Sequence, residues 1–183
     1  MSSKFQLNIA AIIIKNDGVI SYPTESVFGL GCSPSSEEAV NKILQLKQRP
    51  VKKGLILIAG KLSQLEPYIE ITAEEKQKII NKKTATTWLV RKSALTPHWI
   101  SGKHSKVAIR LTKHPLITHL CAVLNHPIVS TSANPSGANP AMSSLQSRQY
   151  FSDQVDMYLQ DETPLTGQPT SIIDIETAII FRK

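Results

Sequence analysis

Cysteine is almost missing from this chain: Cys32 and Cys121 are its two, far apart and outside any Cys-x-x-Cys or Cys/His spacing. That pattern argues against a disulfide framework and a zinc centre, and predicts free thiols in a reducing, cytoplasmic setting. Aromatic side chains make up 5% of the residues, too few for the stacking platforms that read single-stranded nucleic acid. No apolar run approaches the ~20 residues of a membrane-crossing helix. The N-terminus, MSSKFQLNIAAIIIKNDG, lacks the basic start, long apolar stretch and small-residue cleavage site of a signal peptide. Neither a GxxxxGK[ST] loop nor a GxSxG elbow occurs, which sets aside a P-loop enzyme and an elbow-type serine hydrolase. His98, His104, His114, His119 and His126 show no ligand spacing and no acidic neighbour. They read as solvent-facing or capping groups, and no metal site is expected.

What remains is a chain of 183 residues, 41% of them hydrophobic, which fits one domain over residues 1–183 with a sizeable core. Its net charge is +7, from 21 Lys and Arg against 14 Asp and Glu. Such an excess favours polyanionic partners such as nucleotides or RNA, and serves solubility as well. Basic residues gather at 47–53, 76–83 and 103–106, acidic ones at 153–162 and 174–176.

Helical spacing covers Phe5 to Asn16, a segment capped near Ser35 and Ser36 that ends near Lys47, Lys61 to Tyr68, Thr72 to Lys82, His114 to Leu124, and Ser143 to Phe151. Strands are predicted over Val19–Tyr22, Leu55–Ala59, Thr86–Arg91, Lys106–Leu111 and Pro127–Val129, with a terminal hairpin of Ser171–Asp174 and Ala178–Phe181. That order implies an α/β (α+β) fold: one twisted mixed sheet flanked by helices.

Three segments carry more polar chemistry than their elements need. SYPTESVFGLG, from Ser21 to Gly31, places Pro23, Thr24, Glu25 and Ser26 between an apolar strand and two glycines that permit positive φ or close backbone approach. KQRPVKKGL, from Lys47, puts four cations in seven residues at a helix end. Lys47 and Arg49 would project as exposed cations from one short loop, a geometry suited to a triphosphate or to a solvated helix end. IVSTSANPSG, from Ile128, runs a strand into Ser130, Thr131, Ser132, Asn134 and Ser136. Hydroxyls, an amide and backbone N–H groups there could hold an anion or cap their own turn. Arg110, opposite in phase to Val107, Ile109 and Leu111, and Arg182 each read alone as surface arginines.

Taken in order, SYPTESVFGLG, LKQRPVKKGLILIA, VAIRLTKHPL and PIVSTSANPSG resemble the YrdC-like family of threonylcarbamoyl-adenylate synthases, in its short, single-domain bacterial type. The resemblance implies a YrdC-like fold with a basic concave face. It also implies a reaction in which L-threonine, bicarbonate (or CO2) and ATP give threonylcarbamoyl-AMP and pyrophosphate, for threonylcarbamoyladenosine modification of tRNA. Lys47, Arg49 and Arg110 would be the catalytic groups. Lys47, Arg49 and Lys53 would hold the phosphates, with Ser132, Asn134 and Arg182 on the nucleotide. Thr24, Arg110, Ser130 and Ser171 would surround the threonine. Mg²⁺ would arrive with ATP, and the partners would be tRNA and the proteins that transfer the threonylcarbamoyl group.

Two departures stand out. Lys82-Lys83-Thr84-Ala85 replaces the family's usual Trp-Pro-Gly-Pro, removing a rigid turn beside the pocket floor that the resemblance implies, and Ser26 and Phe28 stand where Thr and Tyr are more usual. A structured-RNA-binding module and an ATP-dependent carbamoyl transferase with another acceptor are the competing readings.

Overall fold

A computed structural model describes residues 3–160 and 164–182; Asp161 and Glu162 of the acidic stretch lie outside the described residues. Six α-helices are described: α1 (Lys4–Lys15), α2 (Glu37–Leu46), α3 (Ala73–Asn81), α4 (His98–Ser101), α5 (Pro115–Leu124) and α6 (Ser144–Phe151). Ten described strands form the sheet: β1 (Ile20–Pro23), β2 (Phe28–Gly31), β3 (Ile56–Ala59), β4 (Ile69–Glu70), β5 (Thr86–Lys92), β6 (Lys106–Leu111), β7 (Ile128–Ser132), β8 (Met157–Tyr158), β9 (Ser171–Asp174) and β10 (Ile180–Arg182). The strand order is β10-β9-β5-β6-β3-β7-β2-β1-β8, with β4 on β5. Pairs β3–β6, β5–β9 and β1–β8 are parallel and the others antiparallel, so the sheet is mixed as expected.

Helix α1 starts because Ser3 and Gln6 form a reciprocal capping box, each side chain accepting from the other's backbone N–H. Leu7, Ala10, Ala11 and Ile14 fall on one buried stripe, and α1 packs against α5, which buries Leu116, Ile117, Leu120, Cys121 and Leu124. Beneath them, Leu57, Ile58 and Ala59 of β3 and Val107 and Ile109 of β6 are almost fully buried. Truncating one such side chain, for example Ile109→Ala, should cost about 2–5 kcal/mol through lost burial and the cavity left behind. The opposite phase of β6, Lys106, Ala108 and Arg110, faces a cavity instead.

The structure corrects several expectations. FGLG, singled out for its two glycines, is a strand, β2, paired to both β1 and β7. Neither Gly29 nor Gly31 needs positive φ; what Gly31 provides is closeness. A Cβ there would lie 2.6 Å from the Val129 carbonyl oxygen and 2.7 Å from the Tyr22 ring. Lys61–Tyr68 forms two short 3-10 turns, Leu62–Gln64 and Glu66–Tyr68, and not an α-helix. Pro67 has no N–H to give a helix, and the Gln64 side chain is spent on the Lys61 N–H and the Cys121 carbonyl. The terminal strand begins later than expected, at Ile180, because Ala178 turns the chain at φ 58°. His114 is buried and sits at the N-cap position of α5, so of its two readings the solvent-facing one fails.

Candidate functional site

The cavity of about 550 Å³ lies over one face of the sheet. Arg110 and Ala108 from β6 and the end of β7 (Ser130, Thr131, Ser132) line one part of it. Thr24 with residues 26–29, and Arg49 with residues 53–56, contribute further walls, and Thr170, Ile172, Phe181 and Arg182 bring in the terminal hairpin.

Helix α2 delivers the cations of its C-terminal end in an ordered way. Gln48 adopts a left-handed conformation (φ 50°), and the N–H groups of Gln48 and Arg49 bond back to Gln45 and Leu44, a Schellman ending with glutamine where glycine is usual. That reversal separates the directions of Lys47 and Arg49. Lys47 is buried, only 4% exposed, where an exposed loop cation was expected. Its Nζ donates to the carbonyl oxygens of Ser132 and Asn134 and to Asn134 Oδ1, while its own carbonyl accepts from the Ser136 N–H. Lys47 therefore stands behind the cavity wall and ties α2 to the segment after β7. Burial, with Arg49 nearby, pushes its ammonium down to about 8.

Arg49 does line the cavity. Its Nη2 donates to the Gly54 carbonyl at 2.9 Å, and its Nε is buried with no protein acceptor. Arg110, also expected at the surface when read alone, is 6% exposed. Its Nη2 donates to Glu25 Oε2, the Thr112 hydroxyl donates to Glu25 Oε1, and Arg110 Nε again has no acceptor. Burial raises the Glu25 carboxyl, but Arg110 and the Thr112 hydrogen bond outweigh it and hold the group below its ordinary value. Arg182 donates through Nε to the Thr170 carbonyl at 2.9 Å. Its guanidinium is lowered by burial and by the nearby charge of Arg110, so the two cations converge on one space.

Of the residues singled out from sequence, the cavity brings together Thr24, Arg49, Lys53, Arg110, Ser130, Ser132 and Arg182. Lys47, Asn134 and Ser171 are outside its lining. Asn134 is a loop builder: its Nδ2 donates to the carbonyls of Pro135 and Ala138. Ser171 pairs with Thr86 between β9 and β5, and Thr170 and Ile172 beside it reach the cavity. The Lys82–Ala85 loop is exposed and outside the lining, so the lost Pro-Gly turn leaves the cavity untouched.

Sequence reasoning missed Thr112, Lys106 and Asp174, and singled out Glu25 without its partner. Lys106 lies on the Arg110 face of β6, a period-two signal that was available. Its Nζ meets Asp174 at 2.7 Å and Glu176 at 2.6 Å, and Glu176 also meets Arg91 at 3.0 Å. That network fastens the β9–β10 turn, in which Asp174 Oδ1 accepts from the N–H groups of Glu176 and Thr177.

Two buried guanidinium nitrogens without acceptors are costly in a protein interior unless something else accepts from them. The lining offers hydroxyls and fixed cations, and His104 is the one histidine among the described lining residues. Such a site is equipped to place anions and neutralise developing charge.

Comparison with known proteins agrees with this geometry. Residues 12–183 match the model of the Sua5/YciO/YrdC family, whose description reads "Telomere recombination". The chain is 43% identical over 179 residues to the threonylcarbamoyl-AMP synthase of Cellvibrio japonicus, covering 97% of this chain and 95% of that one. It is 44% identical over 181 residues to the threonylcarbamoyl-AMP synthase of Acinetobacter baumannii, covering 94% and 95%. The crystal structure of P. abyssi Sua5 complexed with L-threonine superposes with a TM-score of 0.88 at 27% identity, over 95% of this chain. The chain spans about half of that longer protein, 52%. Among the described residues, no helix is long and apolar enough to cross a membrane.

Proposed function

The chain belongs to the Sua5/YciO/YrdC family, and from that premise we infer that it is a threonylcarbamoyl-AMP synthase. L-Threonine and bicarbonate or CO2 form a carbamate, whose oxygen attacks the α-phosphorus of ATP. The new P–O bond replaces the bond to the β-phosphate, and pyrophosphate leaves. The product carries an activated threonylcarbamoyl group for the modification of tRNA, through proteins that transfer it. A tRNA destination argues for a cytoplasmic location.

The observation that carries this reading is the gathering of Arg49, Lys53, Arg110 and Arg182 with the hydroxyls of Thr24, Ser130 and Ser132 around one recessed cavity. In the roles we assign, Arg49 and Lys53 receive the phosphates, and Arg182 closes over the nucleotide. Ser132 binds the nucleotide, and Lys47 and Asn134 act from behind by fixing the segment that presents it. Arg110 takes the threonine carboxylate, with Thr24, Ser130 and the Thr170–Ser171 edge around the amino acid. Mg²⁺ enters as part of the substrate MgATP, held by phosphate oxygens and water. The nearby carboxylates do not invite it: Glu25 is committed to Arg110 and Thr112, and Asp174 to Lys106. A recessed cavity with inward-facing arginines suits a small anion better than the phosphate track of an RNA duplex, which calls for outward charge.

The test is pyrophosphate release by the purified protein with MgATP, labelled bicarbonate and single amino acids. Release should require threonine and bicarbonate together, with valine far less effective, because a site that pairs a hydroxyl rejects the analogue without it. Equal rates with valine, or release only after RNA is added, would overturn the reading.

A further inference from the structure

We propose that Glu25 and Arg110 form an ion pair that opens to admit a zwitterion, Glu25 taking the ammonium of the amino-acid substrate while Arg110 takes its carboxylate. The inference rests on the functional reading above and adds a specificity-determining residue to it.

Arg110 is half-satisfied. One edge of its guanidinium donates to Glu25, and its Nε faces no acceptor although buried. The side chains are 7% and 28% exposed, so Arg110 is the sealed partner and Glu25 the one in reach of solvent. A carboxylate arriving alone would share that guanidinium with Glu25, placing two like charges on one cation in a poorly hydrated place. If Glu25 withdrew, a partly buried carboxylate would be left without its cation, a costly outcome. A zwitterion avoids both costs. Its carboxylate replaces Glu25 on Arg110, its ammonium gives Glu25 a new partner, and one ion pair becomes two.

The local backbone is built so that only the side chain needs to move. Thr24 Oγ1 accepts from the N–H of Ser26 at 3.0 Å and donates to the Val27 carbonyl at 2.8 Å, closing the turn on itself. From outside, the Thr166 N–H donates to the Glu25 carbonyl at 3.1 Å and the Gly167 N–H to the Ser26 carbonyl at 2.9 Å. Glu25 is thus a carboxylate on a fixed pivot, and partner exchange costs a rotamer change and not a refolded loop.

The test compares binding of threonine and of its α-hydroxy analogue, in which a hydroxyl replaces the amine, to the wild type, Glu25→Gln and Glu25→Asp by calorimetry. The wild type should prefer threonine by roughly ten- to a hundredfold, the range of one charge-assisted contact. In Glu25→Gln the preference should collapse to within about threefold, with the α-hydroxy acid bound as well as before or better, since its competitor for Arg110 is gone. Glu25→Asp, which keeps the charge, should keep part of the preference and guards against a fold defect in the amide variant. If Glu25→Gln weakens both ligands equally, or keeps the wild-type preference, Glu25 is only a structural partner of Arg110 and the proposal falls. Failure of the wild type to bind threonine, with no threonine-dependent pyrophosphate release, would instead remove the functional reading and this inference together. That outcome appears before any variant is made.

Discussion

Replacing Lys47 with methionine tests whether the cation acts from inside the wall. The substitution keeps most of the side-chain volume and removes the ammonium that donates to the Ser132 and Asn134 carbonyls. Two carbonyls losing a donor cost about 1–3 kcal/mol each, offset in part because an ammonium no longer has to be buried. The pH dependence separates these terms. Lys47 titrates at about 8 when folded against 10.5 as the ordinary value. Between those values the unfolded chain holds the extra proton, so stability rises with pH as the buried ammonium loses its charge. From pH 7 to pH 10 the wild type should therefore gain ~2.5 kcal/mol relative to Lys47→Met, with all other titrations cancelling in the difference. Urea unfolding of both proteins at the two pH values measures it. Parallel profiles would refute the argument, since Lys47 would then be the solvated helix-end cation that its neighbours in sequence suggest.

Other expected outcomes are simpler. Gly31→Ala should lose about 1–3 kcal/mol in thermal unfolding, because the added methyl meets the Val129 carbonyl and the Tyr22 ring. Gln48→Gly should raise the unfolding free energy by up to about 1 kcal/mol, read in urea unfolding, since glycine adopts the left-handed angle at φ 50° without strain. Arg49→Ala should lower kcat/KM ten- to a hundredfold, the effect of losing a charge-assisted phosphate contact of about 1.5–3 kcal/mol. Arg182→Ala, or loss of Arg182 with Lys183, should weaken ATP binding about tenfold, while threonine affinity without nucleotide changes much less; unchanged ATP affinity would remove Arg182 from the nucleotide.

The sequence carried the architecture where period and caps agree. The apolar spacing from Phe5 to Asn16, the helix opening at Thr72 and the alternation of Val107 and Ile109 mark elements that the structure reproduces within a residue or two. Strand β2 escaped because its glycines look like a loop until their neighbour is known: Gly31 is small because β7 and Tyr22 press on it. The short strands β4 and β8 have two residues each, too few to show a period. Site residues were legible as types but not as directions. KQRP announces cations at a helix end, yet the turn at Gln48, which buries Lys47 and aims Arg49 at the cavity, is a backbone angle without a glycine to signal it. Glu25 was visible within PTES, and its partner lies 85 positions away. A pair of that kind exists only once the turn after β1 folds over the end of β6.

How the charges are compensated bears on which ligands the cavity takes. Arg110 and Lys106 carry carboxylate partners, Glu25 and Asp174, so that pair of cations contributes little net field. Arg49 and Arg182 are anchored by backbone carbonyls, those of Gly54 and Thr170, which fix a guanidinium but leave its full charge uncompensated. Lys53 beside Arg49 is exposed and adds to the same excess. The cations of the lining are therefore of two kinds: Arg49, Lys53 and Arg182, whose charge no carboxylate offsets, and Arg110 and Lys106, whose charge Glu25 and Asp174 offset. A polyphosphate gains most from the first, because uncompensated cations in a recessed, weakly screened space bind multiple negative charge tightly. A zwitterionic amino acid gains most from the second, where it can exchange partners with the Arg110–Glu25 ion pair. In the roles proposed above, the polyphosphate draws on the cations that no carboxylate offsets, and the amino acid on the Arg110–Glu25 pair.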